Sequence, residues 1–496
     1  MLAAGFLALF AVLLKPLRSI PAYEYEQLER APAWMTVVIG GAIVLLSITA
    51  LGKMSPAGAQ VFVGWSRSEA LLVIDGYALW ASAIIGAVLA VSAWVPAARR
   101  SLVPRTIPHF LLVLGLAEFA LLMVFSLHVG LLLLCWLMLL AGTIILWTVL
   151  YRPTWRWEQL EVSVVLGIAA LLGTIGLVWL HALTRGSDMV NMWSVLLSTP
   201  PHAMNGAMLF ISLAWLGPAI YLPWWLWEKS DEETMVWMPA ALLITMAGTL
   251  TLVRLLFYIF PAGGGDFSQL PGVEHLFLIK RILNWLLSWG LLALAGGSMW
   301  LAYTAFRSKL SGRSLRPIIF VVSGLLLLGI AGGVLGVSDG PHGHRDGSIA
   351  GLLWVLLTWA GVITVWLSAK KLLLALPNER DERTVLTISL WGTLAALVAI
   401  PPMPGFRALV SLWSTWKHFN APPLVVVMFL LLTAVSAGFQ LPQWIAAKNG
   451  STPRVGAGWG IIGPFMLVVL LFLLGVFAGP FSPVLRLIRL SLLQAY

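Results

Sequence analysis

The stretch that decides the fold is Ile400-Pro401-Pro402-Met403-Pro404-Gly405-Phe406, which lies inside an apolar part of the chain. It joins the apolar segment 384–403 to the apolar segment 406–419. A proline in a helix interior removes a backbone hydrogen bond and clashes with the preceding turn. Because three prolines fall within this stretch, we predict one helix that is broken into two halves.

A second interruption lies in the apolar segment 204–227, which contains Gly217, Pro218 and Pro223. Unwound backbone at membrane depth persists only where protein or water surrounds it. Interrupted helices at corresponding points of two halves are typical of transporter cores built from inverted repeats. The alternative interpretation is that these prolines mark ordinary kinks or helix ends.

The composition places the chain in a membrane. Of its 496 residues, 60% are hydrophobic and only 10% are charged, and the mean hydropathy is +0.94. A soluble domain carries about 25% charged residues, so the composition excludes a soluble enzyme and a disordered protein. Cys135 is the single cysteine, which excludes an internal disulfide, a cysteine zinc cluster and a cysteine-ligated iron–sulfur centre.

A spanning helix needs about 20 mostly apolar residues. The candidate spans are 1–14, 34–52, 77–97, 107–127, 130–151, 162–183, 204–227, 237–260, 278–305, 316–338, 349–369, 384–403 with 406–419, 424–446 and 458–479. The broken pair counts as one helix. The sequence therefore predicts an all-α polytopic membrane protein with about fourteen transmembrane helices, the seventh and twelfth of them broken.

We predict that residues 1–496 form a single transmembrane domain. Its expected parts are helices 1–3 (1–106), a first five-helix repeat (107–260), a second five-helix repeat (274–446), the last helix (458–479) and a tail (483–496). Arg486 and Arg489 lie on one side of the leucines and isoleucine of the tail. Such a pattern predicts an amphipathic helix on the membrane surface.

The basic residues predict the orientation. Most of the 30 Lys and Arg residues fall in the odd-numbered loops between the spans, and cytoplasmic loops are enriched in such residues. We therefore expect those loops to be cytoplasmic and both termini to be external, in the inner (cytoplasmic) cell membrane. The net charge of +10 is scattered between hydrophobic spans, so it does not favour nucleic-acid binding.

Several segments, taken in order, resemble the antiporter-like membrane subunits of respiratory complex I (NADH:quinone oxidoreductase) and of Mrp cation/proton antiporters. Residues 71–77 are similar to the Asp-Gly-Leu-Ser entry of the family's third helix, and 400–406 are similar to its Gly-Ile-Pro-Pro-Leu-Ala-Gly-Phe motif. The other matching segments are 129–136, 240–254 and 314–329. The resemblance implies fourteen helices, external termini and breaks in helices seven and twelve.

The sequence departs from this family at the residues that would carry protons. The resemblance implies a glutamate where the chain has Leu137, and lysines where it has Pro218 and Leu409. It also implies lysine or histidine on the eleventh helix, and 348–368 contains neither. Ionisable groups at membrane depth are needed to exchange protons. We therefore expect a divergent subunit whose proton relay is altered or absent.

Six ionisable residues remain as candidates for a proton path: Glu118, Lys280, Lys417, His418, Arg407 and Arg254. Glu118 lies mid-span, where a buried carboxyl can accept a proton; the alternative is a structural hydrogen bond. Arg254 ends its helix, where a structural pair is the alternative. Lys280 lies at the start of the ninth span, where interfacial anchoring is the alternative. Arg407, Lys417 and His418 flank the short half-helix, where they are candidates to replace the missing lysine.

A metal site is not expected. His342 and His344 precede Asp346 in a glycine-rich segment that we predict to be an external loop. His-x-His with a carboxylate can bind a transition metal, but no further ligand is evident, so a solvated turn is the preferred interpretation. We also expect no cofactor.

The leading hypothesis is a non-enzymatic, antiporter-like membrane subunit of a complex I-related assembly that translocates ions or couples to redox chemistry. Its expected partners are other integral membrane subunits, a soluble or peripheral subunit, and lipid. One alternative is the membrane subunit of an inorganic-carbon transporter of the DAB type. Another alternative is a haem-bearing membrane oxidase or quinol-oxidising subunit.

Overall fold

The computed structural model describes most of the chain. The described residues are 22–54, 61–66, 69–98, 106–146, 157–184, 189, 201–228, 237–259, 274–307, 316–339, 342–375, 380–397, 401–418 and 461–493. The predicted spans 1–14 and 424–446 lie outside them. The described part contains fourteen helices and one two-stranded hairpin.

The helices are named in chain order. They are α1 Ala22–Lys53, α2 Gly76–Ala98, α3 Thr106–Phe125, α4 Val129–Ile145, α5 Trp157–Thr184, α6 Pro201–Glu228, α7 Met238–Ile259, α8 Glu274–Arg307, α9 Arg316–Asp339, α10 His342–Ala375, α11 Arg380–Leu397, α12 Pro404–His418, α13 Ile462–Val476 and α14 Ala478–Leu493. The hairpin consists of β1 Val61–Ser66 and β2 Glu69–Ile74.

The helices have the length and composition of membrane spans. Eight of them contain an apolar stretch of at least 18 residues that is long enough to cross a bilayer. Four more apolar helices are shorter, at 10–17 residues, and include α4 and α13. The chain is therefore a multi-pass, all-α membrane protein, as the sequence predicts.

The bundle has a buried centre and an apolar outside. Residues Met238–Phe257 of α7 are buried throughout, and α9 and α10 are almost as deeply enclosed. By contrast, α1, α5 and α8 expose large apolar side chains, among them Leu45, Leu171 and Trp289. This inside-out distribution is stable only when lipid or other membrane proteins cover the outer helices.

Small residues allow two helix pairs to approach closely. A Cβ atom at Gly40 of α1 would lie 2.7 Å from the backbone of Ala90 and Gly86 on α2. A Cβ atom at Gly324 of α9 would lie 2.7 Å from Leu294 and 2.8 Å from Gly290 on α8. Close backbone approach through glycine is a common way in which membrane helices associate.

The chain leaves the helical conformation at Pro401, Pro402 and Met403, within the proline-rich stretch. Helix α11 ends at Leu397 and α12 begins at Pro404, with a turn at Pro401 and Pro402, which are joined by a cis peptide bond. The turn is held by close packing, because a Cβ atom at Gly475 of α13 would overlap the carbonyl oxygen of Pro402. The proline-rich motif therefore sits against the last turn of α13.

The seventh predicted span behaves differently from the sequence-based expectation of a break. Helix α6 runs from Pro201 to Glu228 with Pro218 and Pro223 inside it. Each proline removes only one intrahelical bond, and both side chains are buried against neighbouring helices. In a membrane bundle such packing lets a helix continue through proline.

The β1–β2 hairpin was not expected from the sequence. Its strands pair antiparallel, with Val61 opposite Ile74, and it bridges to the α3–α4 connection through Leu72 and Ser126. The amide of Leu127 donates to the carbonyl of Leu71 at 3.0 Å. The hairpin thus fixes the start of α2 against the end of α3.

The C-terminal tail forms the predicted helix, but it begins at Ala478 rather than at residue 483. It packs on this chain's own α2, α10 and α7. Ile488 and Leu492 are buried in that contact, whereas Arg486 is exposed. The tail therefore covers part of the bundle with its apolar side.

Candidate functional site

Asp75 caps the helix that follows the hairpin. Its Oδ1 atom accepts a hydrogen bond from the amide of Ala78 at 2.7 Å, and its backbone carbonyl accepts one from Leu79 at 3.1 Å. Aspartate is a preferred N-cap residue because its carboxylate satisfies a free amide and the helix dipole favours its charge. The cap leaves Oδ2 to reach a second partner.

That second partner is Arg254, near the end of α7. One terminal nitrogen of the guanidinium donates to Asp75 Oδ2, and the other donates to the carbonyl of Val124. Val124 lies in the last turn of α3, where carbonyls lack intrahelical partners. Asp75 and Arg254 are each only 1% exposed. One guanidinium therefore neutralises a buried acid and caps a helix.

Tyr77 completes the arrangement. Its hydroxyl donates to the carbonyl of Leu250 on α7 at 2.7 Å. The guanidinium carbon of Arg254 lies 5.7 Å from the centre of the Tyr77 ring, within the range of a cation–π contact. The centre formed by Asp75, Tyr77 and Arg254 thus joins the hairpin, α2, α3 and α7.

The chemistry of this centre favours a structural ion pair over proton transfer. An arginine side chain keeps its proton in proteins, so Arg254 is a fixed positive charge. A buried ion pair is balanced only while both partners remain. The structure therefore brings Arg254 into the paired, structural arrangement that was one of the two interpretations of the sequence.

The other candidates lie apart from this centre. Glu118 is on the middle of α3 and is half-buried, with its Oε1 atom enclosed. Arg407 is exposed on α12. Lys280 belongs to α8, and Lys417 with His418 ends α12, but the side chains of these three lie outside the described residues. Of the three candidates whose side chains the structure describes, only Arg254 belongs to the centre at Asp75.

Apolar and aromatic side chains surround the positions where the resemblance in sequence implies charged residues. Next to Leu137, the indole nitrogen of Trp136 donates to the carbonyl of Ala169 on α5 at 3.3 Å. The rings of Trp136 and Trp215 meet edge to face, with centroids 6.2 Å apart. Both side chains are fully buried, so indole rings occupy this part of the core.

The described helices α8 to α13 bury threonines but no acidic, basic or imidazole side chain. Thr358 and Thr364 of α10 donate to carbonyls of their own helix, Trp354 at 2.8 Å and Ala360 at 2.7 Å. Among the described side chains, the buried acidic, basic or imidazole groups are Asp75, directly before α2, His109 on α3 and Arg254 on α7. The described parts of α8 to α13 bury none.

The described residues contain no group of three or more His, Cys, Asp or Glu side chains that could hold a metal ion. The segment predicted to be a loop at His342 begins α10 instead. Helix formation there satisfies backbone groups that a loop would leave to solvent.

Asp75 lies in the sequence motif at residues 71–77, but the sequence did not identify it as part of a buried centre. Two signals were present: an aspartate directly before a helix, which is an N-cap signal, and an arginine at the end of an apolar span. Their pairing was not visible, because 179 residues separate Asp75 from Arg254.

Comparison with known proteins identifies the fold. No protein-family model matches the chain, and no curated protein matches its sequence. One similar solved structure is the membrane-bound sulfane sulfur reductase, an archaeal respiratory membrane complex, with a TM-score of 0.71 and 15% identity over 100% of this chain and 97% of that chain. A second is the Mrp complex from a Dietzia species, with a TM-score of 0.69 and 14% identity over 99% and 98%.

A third similar structure is respiratory complex I from Thermus thermophilus, with a TM-score of 0.62 and 18% identity, covering 100% of this chain and 99% of that chain. At these identities the likeness shows the fold alone. Over its whole length the chain has the fold of chains in these three membrane complexes, two of which, the Mrp complex and complex I, contain the subunits that the sequence resembles.

Proposed function

We propose that the chain is a non-catalytic, antiporter-like membrane subunit of a multisubunit complex that translocates ions or couples to redox chemistry. The observation that carries this proposal is the full-length likeness to chains of three membrane complexes, a sulfane sulfur reductase, an Mrp complex and complex I. Its proposed partners are other integral membrane subunits, with a peripheral subunit and lipid.

The outer helices support the proposal of membrane partners. On α8, Trp285 and Trp289 are about half exposed and their rings meet edge to face at 5.6 Å. On α1, Leu45 and Leu46 are largely exposed. Aromatic side chains are enriched where proteins contact one another. We expect neighbouring subunits to cover part of these two helices.

We also propose that the proton relay of this subunit is altered or absent. Leu137, Pro218 and Leu409 stand where the resemblance implies charged residues, and none of these side chains can exchange a proton. The enclosed polar centre at Asp75 and Arg254 is a fixed ion pair. A subunit built in this way contributes scaffolding to its complex, or passes protons by a different route through Glu118.

We further propose how the chain is organised and oriented in the membrane. Residues 107–260 and 274–446 form the two five-helix repeats, and both termini are external to an inner membrane. The similar structures named above favour neither the inorganic-carbon alternative nor the haem alternative.

Isolation from native membranes tests the proposal. The chain carries an affinity tag and is extracted in a mild detergent, and the co-purifying proteins are identified by mass spectrometry. We expect a fixed set of integral membrane subunits in constant ratio to the tagged chain. An unrelated polytopic protein with the same tag serves as the control. Recovery of the chain alone, stable and monodisperse, contradicts the proposal.

A further inference from the structure

Helix α7 carries hydroxyl groups that its own helix does not satisfy. Thr245 and Thr249 are 0% exposed, and their Oγ1 atoms have no hydrogen-bond partner among the described residues. Other buried threonines in the bundle donate to a carbonyl of their own helix three or four residues back, as Thr143 does to Leu139 at 2.8 Å. Since that bond is the usual solution for threonine in a helix, the two hydroxyls of α7 require another partner.

Trp215 of α6, which packs on α7, also has a polar side-chain atom without a partner. Trp215 is 0% exposed, and its Nε1 atom has no hydrogen-bond partner in the described part of the chain. A Cβ atom at Gly248 of α7 would lie 3.3 Å from the Trp215 carbonyl oxygen, so Trp215 packs on α7. Thr245 and Thr249 are one helical turn apart on one face of α7, and both adjoin Gly248 on the helix surface.

A fourth polar group comes from the backbone of α6. Pro218 has no amide hydrogen, so the carbonyl of Ala214 receives no bond from the position four residues ahead. Ala214 is buried directly before Trp215. The α6–α7 contact therefore offers two hydroxyls and one indole donor, and on α6 the Ala214 carbonyl lacks the amide that would normally bond to it.

Leaving these groups dry is unfavourable. A buried polar group without a partner costs about 1–3 kcal/mol, so several such groups together cost more than one hydrogen bond contributes. A buried water molecule needs about two to four polar partners, which this contact supplies with both donors and acceptors. A small polar ligand held by hydrogen bonds removes the penalty, and water is the smallest.

We infer that the α6–α7 contact binds water between Trp215 Nε1, the hydroxyls of Thr245 and Thr249, and the carbonyl of Ala214. This inference is independent of the proposed function, because water binding requires neither transport nor a particular partner.

Radiolytic hydroxyl labelling with mass spectrometry tests the inference, since radicals formed from bound water oxidise adjacent side chains. The measurement uses the chain as purified with its co-purifying subunits. We expect Trp215 to be labelled at a rate within about threefold of the exposed Trp289, although it is fully buried. Trp136, buried to the same extent but donating to Ala169, is the internal control and should stay protected. Protection of Trp215 in the unaltered protein overturns the inference.

Paired substitutions assign the water to the two threonines. In T245V/T249V we expect labelling of Trp215 to fall at least threefold and the midpoint of thermal unfolding to fall. The matched control is T358V/T364V, which removes buried hydroxyls that are already bonded within α10 and should leave Trp215 labelling unchanged. T245S/T249S keeps the hydroxyls and should retain the labelling.

The direction in which the unfolding midpoint of T245V/T249V changes provides a second test. If the α6–α7 contact is dry, removing two unsatisfied hydroxyls raises the unfolding midpoint of T245V/T249V. A raised midpoint, or unchanged Trp215 labelling in this variant, overturns the assignment. Should the double variant fail to fold, labelling of Trp215 in the unaltered protein still decides the question.

Discussion

Arg254 joins three parts of the molecule through one planar group. Its two terminal nitrogens donate to the Asp75 carboxylate and to the Val124 carbonyl, and Tyr77 lies against its guanidinium. Such fixed, forked geometry is specific to arginine, because lysine offers a single point charge. The centre therefore depends on the residue type as well as on the charge.

Removing one partner of this pair should be costly. We expect Arg254→Met to lower the free energy of unfolding by about 3–5 kcal/mol, because it leaves the Asp75 carboxylate buried and unpaired. Thermal and denaturant unfolding of the protein in mild detergent measures the effect.

The double variant D75N/R254M is the control for charge burial. It should be less destabilised than R254M alone, since no unpaired charge remains. Equal destabilisation of the two variants would mean that lost packing, and not the buried charge, accounts for the effect. R254K is expected to recover only part of the stability, because lysine cannot serve both acceptors in the same geometry.

Glu118 is the remaining acidic candidate within a described span. We expect assembly of the complex to survive Glu118→Gln, Lys280→Met and Lys417→Met, since each replacement keeps a similar shape. If the complex moves protons through this subunit, Glu118→Gln should reduce proton uptake by reconstituted complex more than either lysine variant. Unchanged uptake in all three variants removes the rerouted path and leaves the scaffold role.

At the scale of elements, the turn between α11 and α12 is fixed by its contact with α13. A Cβ atom at Gly475 would overlap the Pro402 carbonyl, and one at Gly405 would overlap the Ala396 carbonyl. The turn has little room to move, because backbone meets backbone on both sides. The break in this helix is therefore a packed feature of the bundle.

Gly475→Ala should destabilise the protein by about 1–3 kcal/mol, the usual cost of forcing an extra group into a packed contact. The matched control is Gly479→Ala in α14, where a Cβ atom would meet nothing within 4 Å. That control should be neutral, or stabilising by up to about 1 kcal/mol, because alanine is the better helix former. Comparison of the two thermal unfolding midpoints decides the outcome, and equal midpoints would contradict the packing argument.

At the scale of the whole molecule, the buried α7 and the exposed apolar faces of α1, α5 and α8 define an inside and a lipid- or partner-facing outside. The tail helix α14 adds a cover over α2, α7 and α10 from the same chain. Two polar features lie in the buried part of this bundle: the Asp75–Arg254 pair, and the hydroxyls of Thr245 and Thr249 on α7.

Reporter fusions test the proposed orientation. A reporter after Tyr496 should be active outside the cytoplasm, and one in the loop between Arg307 and Arg316 should report the cytoplasm, because basic residues concentrate on that side. Both fusions reporting the same side would show that the number of spans between them is wrong.

The sequence by itself determined that the chain is a multi-pass helical membrane protein with an interruption at residues 400–406. The physical reason is local, because a bilayer offers no water to the backbone and each span must satisfy its own hydrogen bonds. Long apolar runs therefore mark the spans, and prolines mark the places where a helix can be interrupted. The same logic placed α2, α3, α6, α7 and α9 within three residues of the predicted spans, whereas α10 begins seven residues earlier and ends six residues later than predicted.

Only the tertiary structure decided which residues meet. The pairing of Asp75 with Arg254, the hairpin at Val61–Ile74, the unbroken course of α6 and the docking of α14 all depend on contacts between segments far apart in the chain. Such contacts leave no periodic pattern, because one partner's sequence does not state where the other will lie. The unsatisfied hydroxyls of Thr245 and Thr249 became visible for the same reason, since burial and missing partners are properties of the packed bundle.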